Sequence, residues 1–407
     1  MNWRTVKIKD VCLLALDCVN KTAPVVDYAT PFKMIRTTNV RGGFVDVENV
    51  RYVTEDTFEK WTRRSRLSAG DVILTREAPL GDVGRLTVDD NIFLGQRLFQ
   101  FRADPQKIHP DFLAFVLQSP LVQGRIRSKG LGATVQHAKV GDFVDLEIPL
   151  PPLEEQKAIG ETLAAYNDLI ENNRRRIDLL EQSTRLLFKE WFGHLRYPGH
   201  EHDKIVDGVP VGWERVPLGD LCTLRAGDVF KPQFQGERTG DHPFIKVGDF
   251  NNPGNKLCIT VANNWVSQAV RESQKLKLFP PETSVFAKIG EALRQNRVRY
   301  LVRETLIDNN VMGAIPKRDV VEGPLLFCML ANHDLATHAS GAAVPFLSSG
   351  VLNSITFLKP SRAVQMAFSS HIGAMIKQIS VLERQATESA KARDILLPRL
   401  MDGRIAV

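Results

Sequence analysis

The chain has 407 residues, enough for two or three domains, with 43% hydrophobic and 25% charged residues, an ordinary balance for a globular protein. No apolar run approaches the ~20 residues of a membrane span, and the start, MNWRTVKIKDVCLL, lacks a secretory leader, so a cytoplasmic protein is expected. The net charge of +6 and five cysteines without a C-x-x-C pair allow a nucleic-acid partner and argue against a disulfide framework or a zinc site.

Short alternating apolar stretches separated by turn residues come first. KMIRTTNV (33–40), DVILTR (71–76), RLFQFRA (97–103) and VDLEIPL (144–150) read as strands. PDFLAFVLQSPLVQGRIRS (110–128) reads as an amphipathic helix. From Pro152 to Gly193 there is no proline, and Ile159, Leu163, Tyr166, Ile170, Asn173, Ile177, Leu180, Thr184, Leu187 and Trp191 keep a strict 4-3 spacing. That is a coiled-coil seam, in which Asn173 is either a register-fixing polar position or a tolerated one. Glu154, Glu155 and Glu161 near the start and Arg185 and Lys189 near the end suit the helix dipole. A second mixed unit follows, with PFIKVGDF (243–250), SVFAKI (284–289), RVRYLVR (297–303) and NSITFLK (353–359) as strands. A second long helix closes the chain; its seam runs Phe368, Ile372, Met375, Ile379, Leu382, Ala386, Ser389 and, after a weaker turn, Leu396.

The chain is written twice, with an offset of about 210 residues. Arg4–Cys12 lines up with Glu214–Cys222, TPFKMIRTTNVRGG (30–43) with HPFIKVGDFNNPG (242–254), and GATVQHAKVGDFVDLEIPLPP (132–152) with GAAVPFLSSGVLNSITFLKP (341–360). Gln156 falls on Gln365. The expected fold is α/β (α+β): two similar globular units (1–150 and 194–358, the latter with its linker), and two helices (151–193 and 359–407) forming an antiparallel coiled coil with a pseudo-two-fold repeat. A helix of this length, roughly 58 Å, would fix the spacing of two heads.

GATVQHAKVGDFVDLEIPLPPLEEQKAI (132–159), VDGVPVGWERVPLGDLC (206–222) and LLPRLMDGRI (396–405) resemble the specificity (S) subunits of Type I restriction-modification systems. The likeness extends over essentially the whole chain, although the second helix opens KPSRAVQ where the first has PPLEEQ. The resemblance implies two target recognition domains, each reading half of a split duplex DNA site. It implies helices that set the gap and dock two methyltransferase (M) subunits, with two restriction motor (R) subunits completing a nuclease. S-adenosylmethionine, ATP and Mg would then be bound by those partners, with no cofactor and no catalytic residue in this chain.

The sequence carries no N/D-P-P-Y/F methyltransferase motif and no G-x-x-x-x-G-K-S/T phosphate loop. Asp145 with Glu155-Gln-Lys157 only superficially resembles a nuclease set, since the second copy has Val364-Gln365-Met366. His194, His200, His202 and Asp203 lie in a turn-rich linker and read as solvated rather than metal-binding. Duplex recognition needs cations for phosphates and Arg, Asn, Gln or Lys for base edges. In the first unit the candidates are Arg36, Thr37, Thr38, Asn39, Arg41, Arg76, Arg85, Arg97, Gln123, Arg125, Arg127, Lys129, Gln136 and Lys139. In the second they are Lys246, Asn251, Asn252, Lys288, Arg294, Gln295, Asn296, Arg297 and Arg299. Each alone also reads as an ordinary surface residue; as a set, a basic face on each head is expected. The alternative is a non-catalytic coiled-coil scaffold with two protein-binding heads.

Overall fold

A computed structural model describes residues 3–130, 138–252, 254–341 and 344–405. The chain divides into two compact units, Met1–Glu171 with Thr387–Val407, and Asn172–Ala386. Each unit therefore holds one globular head together with a part of both long helices.

In the first unit a six-stranded sheet runs, from one edge, Cys12–Asp17, Leu98–Ala103, Val72–Arg76, Leu80–Arg85, Gly43–Val45 and Val40–Arg41. In the second, a five-stranded sheet runs Cys222–Ala226, Val311–Pro316, Ser284–Ala287, Val298–Leu301 and Cys258–Ile259. The first five positions of the two sheets correspond, including the single parallel step, Gly43 opposite Gly84 in one and Cys258 opposite Tyr300 in the other. A three-stranded sheet recurs as well: Lys33–Ile35 lies parallel to Ile92–Leu94, as His242–Ile245 lies parallel to Leu306–Ile307. The first strand of each head closes on the last, Arg4–Lys7 with Glu147–Leu150 and Glu214–Pro217 with Thr356–Lys359. The repeat read in the sequence is thus a repeat of hydrogen-bond topology.

KMIRTTNV and PFIKVGDF do not stay extended. Each strand ends at its isoleucine, Ile35 or Ile245, and the chain turns into a short 3-10 helix, Thr37–Asn39 or Val247–Asn251. The physical reason is a polar side chain three residues on: Asn39 Oδ1 accepts the Arg36 N–H at 3.0 Å, and Asp249 Oδ2 accepts the Lys246 N–H at 2.8 Å. Such local side-chain bonds compete with the sheet ladder. The 110–128 segment is two helices, Pro110–Gln118 and Pro120–Ser128, because Ser119 both ends the first and caps the second ahead of Pro120.

The central helix is Leu153–Phe188, and its last turn widens into a π-turn over Lys189–Gly193. The C-terminal helix is Arg362–Met401. Ile159 and Leu163, near the start of the first, share a core with Leu397, Leu400 and Met401 at the end of the second. In the other unit Ile177 shares a core with Phe368, Ile372, Ile376, Ile379 and Leu382, and the Thr184 hydroxyl lies 3.6 Å from Met375 Sδ. In both units the order is antiparallel. Of the seam, Ile159, Leu163, Ile170, Asn173, Ile177, Phe368, Ile372, Ile379 and Leu382 are buried, while Tyr166, Leu180, Leu187 and Met375 are half-buried. Ile376, one place off the 4-3 count, is buried too, because the head as well as the other helix covers that face.

Each long helix is anchored at its start by the matched glutamines. Gln156 Nε2 donates to Pro151 O at 2.8 Å, as Gln365 Nε2 donates to Pro360 O at 3.0 Å. Gln156 also accepts the His109 N–H at 2.9 Å and donates to Lys107 O, whereas Gln365 Oε1 has no protein partner among the described residues. Gln156→Ala should therefore cost about 2–3 kcal/mol, since it leaves a partly buried N–H and two carbonyls unpaired, against about 1 kcal/mol for Gln365→Ala. Thermal denaturation of the two variants checks the order; equal losses would contradict it.

Candidate nucleic-acid interface

Both heads open the same hairpin mouth. In the first, the Arg76 N–H donates to Arg97 O at 2.8 Å, and Ala138 N–H donates to Arg76 O at 3.3 Å. In the second, Lys288 N–H donates to Asn310 O at 3.0 Å, and Leu347 N–H donates to Lys288 O at 2.9 Å. A cation thus occupies one frame position in both copies, Arg76 or Lys288, facing Arg97 in one and Asn310 in the other. What joins the hairpin strands differs. In the first head the strands ending at Arg76 and starting at Leu80 are joined by a tight turn, whereas in the second a loop with a helical turn, Glu291–Arg294, intervenes. That longer loop carries Lys288, Arg294, Gln295 and Arg297. Arg294 and Gln295 are exposed, and Arg294 pairs with Glu291 at 3.2 Å. Near the first mouth Arg97 pairs with Glu77, Arg76 lies 3.6 Å from Asp17, and Lys139 is exposed.

The second shared element is the loop after Ile35 or Ile245. Thr38 and Arg41 are exposed in one head and Asn251 in the other. Arg41 lies near Asp82, whose carboxyl is pushed up by burial and pulled back by that guanidinium. Asn39 proves to be a scaffold residue. It is 3% exposed, and its amide nitrogen is committed to Asp46 O at 3.0 Å and Asn49 O at 2.9 Å, so no donor remains for a base. Asn296 is similar, donating to His333 O at 2.8 Å and accepting from Leu335 N–H at 3.1 Å. Asn252 is bound to Asp249 and Asn263, and Lys246 reaches Gln235 at 2.5 Å and the Phe230 ring at 5.4 Å.

Other candidates scatter. Arg127 and Lys129 are exposed at the end of the Pro120–Ser128 helix, where Arg125 donates to Glu147 O at 2.6 Å and Gln123 to Gly81 O at 2.8 Å. Arg85 pairs with Asp111 at 3.0 Å and lines a cleft with Gly43, Phe44, Asn167 and Asp168. Gln136 lies outside the described residues. Arg299 turns inward: its guanidinium donates to Phe250 O at 3.2 Å and Val298 O at 3.0 Å. Burial above all, with Arg297 beside it, pulls its pKa down to about 10. Asp145 is held by Lys7 at 3.2 Å and Lys9 at 2.7 Å, and Asp203 by the Tyr197 hydroxyl at 2.7 Å. The five thiols are free, and burial pushes Cys222 up to about 12.

Arg299 belongs to an acidic knot that sequence reading missed, built from Asp178, Glu181, Glu383 and Lys256. Lys256 bonds Asp178. Burial, then Glu181, raises the Glu383 carboxyl to about 7. A carboxyl whose folded pKa lies above its unfolded value adds stability in full only below about pH 4.5, and that contribution is lost as pH rises toward 7. Unit-two stability should therefore fall between pH 5 and 8, and Glu383→Gln should flatten the fall, as read by denaturant titration across that range. An unchanged slope would contradict the assignment.

The sequence model of the Type I restriction modification DNA specificity domain matches this chain twice, over residues 1–182 and 210–387, one match for each copy of the topology. The chain belongs to the Type I restriction-modification specificity subunits. This specificity subunit is 23% identical over 363 residues to the Type I restriction enzyme MjaIX specificity subunit of Methanocaldococcus jannaschii, covering 88% of this chain and 82% of that one. It is 20% identical to the HindI specificity subunit of Haemophilus influenzae, covering 84% and 88%. The solved S subunit of M. genitalium superposes with a TM-score of 0.63 at 18% identity, over 98% of this chain and 96% of that one; this likeness is one of fold. The specificity subunit is the non-catalytic, sequence-determining member of its system, and its two mouths belong to two DNA recognition domains. Among the described residues no helix is long and apolar enough to cross a membrane.

Proposed function

We propose that each recognition domain reads one half of a split duplex DNA target and that the two long helices set the gap between the halves. Two methyltransferase subunits dock on those helices to methylate adenine, and two motor subunits join them to make an ATP-dependent nuclease. S-adenosylmethionine, ATP and Mg belong to those partners, and the assembly works in the cytoplasm. The observation that carries this reading is the mouth: one backbone frame in both heads, with Arg76, Arg97 and a tight turn in one, and Lys288, Asn310 and a long polar loop in the other. A kept frame with changed contact residues is what two different half-sites require. Exposed Leu169, Leu179, Leu186, Met366, Val381 and Ile395 on the long helices give apolar surface for docking.

The test is selection from a random duplex library by this chain assembled with its methyltransferase subunit. Two fixed half-sites at a constant gap should be enriched. Lys288→Ala should lower the slope of log affinity against log salt by about 1 if Lys288 meets a phosphate. Retention of duplexes without sequence preference would overturn the reading, and failure to retain duplex DNA at all would favour a protein scaffold.

A further inference from the structure

Arg393 stands where the seam of the C-terminal helix calls for an apolar residue, four places after Ser389 and three before Leu396. It is the weak turn in that heptad pattern. The residue is only 9% exposed, and a guanidinium is taken out of water only where its hydrogen bonds are met. They are met unusually. Nη1 donates to Asn167 Oδ1 on the central helix at 2.6 Å and to the carbonyl of Gly42 at 3.0 Å, while Nε and Nη2 donate to Asp394 Oδ1 at 3.0 and 2.8 Å. Gly42 is the tip of the hairpin that carries Arg41, directly after the Arg36–Asn39 turn.

At Gly43 the backbone comes close to the side chains of Asn167 on the central helix and Gln118 of the head. Gly42 and Gly43 have φ of +60° and +92°, a left-handed region that side chains avoid. A Cβ on Gly43 would come within 2.9 Å of Asn167 Nδ2 and 3.2 Å of Gln118 Oε1. On its far side the loop is closed by Asn39, which ties Arg36, Asp46 and Asn49 together. The loop is therefore a stiff unit with a side-chain tether to the helix pair at Arg393. Thr38 and Arg41, exposed on that unit, sit where this tether puts them.

We propose that Arg393 is a positioning residue for DNA recognition by the first head. It reads no base; it holds the 36–46 loop in register on the helices so that the exposed loop residues meet their half-site. The matching loop of the second head is secured differently. There Lys256 of the head bonds Asp178 of the central helix, and a Cβ on Gly254 would lie 2.8 Å from Glu383 Oε2 of the C-terminal helix. The cation comes from the helix in the first head and from the loop in the second, so loss of Arg393 acts on one half-site alone.

This inference rests on the half-site reading above, and its test separates the two. The full chain, assembled with its methyltransferase subunit, is scored for methylation of duplexes carrying single base changes in each half-site. A wild-type complex indifferent to changes in both halves overturns the half-site reading and this inference with it. With a discriminating wild type, Arg393→Met, which keeps the length and loses the donors, should reduce discrimination at one half-site about 10-fold. Discrimination at the other half-site and the preferred gap should stay as they were. Arg393→Lys should restore part of the loss. Asn167→Ala, on a half-buried helix position, should weaken the same half-site and serves if Arg393→Met folds poorly. Equal loss at both half-sites, a general loss of affinity with relative preferences unchanged, or no change would each overturn the proposal.

Discussion

Removing one heptad from each long helix, at matching levels, should shorten the gap this protein accepts between its half-sites and leave both half-site sequences as they were. Seven residues of α-helix span about 10 Å, and a base pair rises 3.4 Å, so the change is at most about three base pairs. A whole heptad keeps the seam in phase and turns the flanking segments by only ~20°; a deletion of three or five residues would turn apolar positions out of the core. The original gap should then be bound roughly 100-fold or more weakly, because one half-site is presented out of place and each mismatched base pair costs about 1–3 kcal/mol. Library selection with the shortened chain reads this directly. Unaltered preference for the original gap would show that the helices do not measure it.

Phe368→Ala should be the most damaging single substitution in the second unit. The ring is fully buried and packs against Phe192, Trp191 and Phe188 at centroid distances of 4.8, 5.5 and 6.1 Å. Behind Phe192 stands Trp213, at 5.8 Å, with Tyr197 at 4.9 Å from it. These rings join the end of the central helix, the start of the C-terminal helix and the entry into the second head. A cavity here cannot collapse without moving all three, so the cost is set near 3–5 kcal/mol, lowering the melting temperature of that unit by about 10 °C. Met366→Ala, on the same helix but exposed, should stay within about 0.5 kcal/mol of wild type. Calorimetry on both variants decides; a loss under about 1.5 kcal/mol for Phe368→Ala would contradict the packing described.

The repeat was the most legible feature, because topology constrains spacing. Gln156 and Gln365, matched by alignment alone, make the same bond to a carbonyl five residues back. The helices were legible because a 4-3 apolar pattern has few other physical causes. Individual DNA contacts were not. Asn39 and Arg36 look alike in a polar loop, and only the closed hydrogen bonds of Asn39 reveal that it builds the loop rather than reads with it. Arg299 looked like the edge of a basic run and turns inward. Conversely, Asn310 gave no signal until backbone pairing set it opposite Lys288. Arg393 had a signal of its own, a charged break in a mostly apolar seam, which becomes meaningful only once Gly42 is seen on the other side.

The most direct measurement is adenine methylation mapping, by single-molecule sequencing, in cells carrying the methyltransferase subunit with and without this chain. A split motif, two fixed halves at one gap, should appear only when the chain is present. With the methyltransferase expressed and bound to the chain, a methylation pattern that does not depend on it would contradict its role in choosing the DNA sequence.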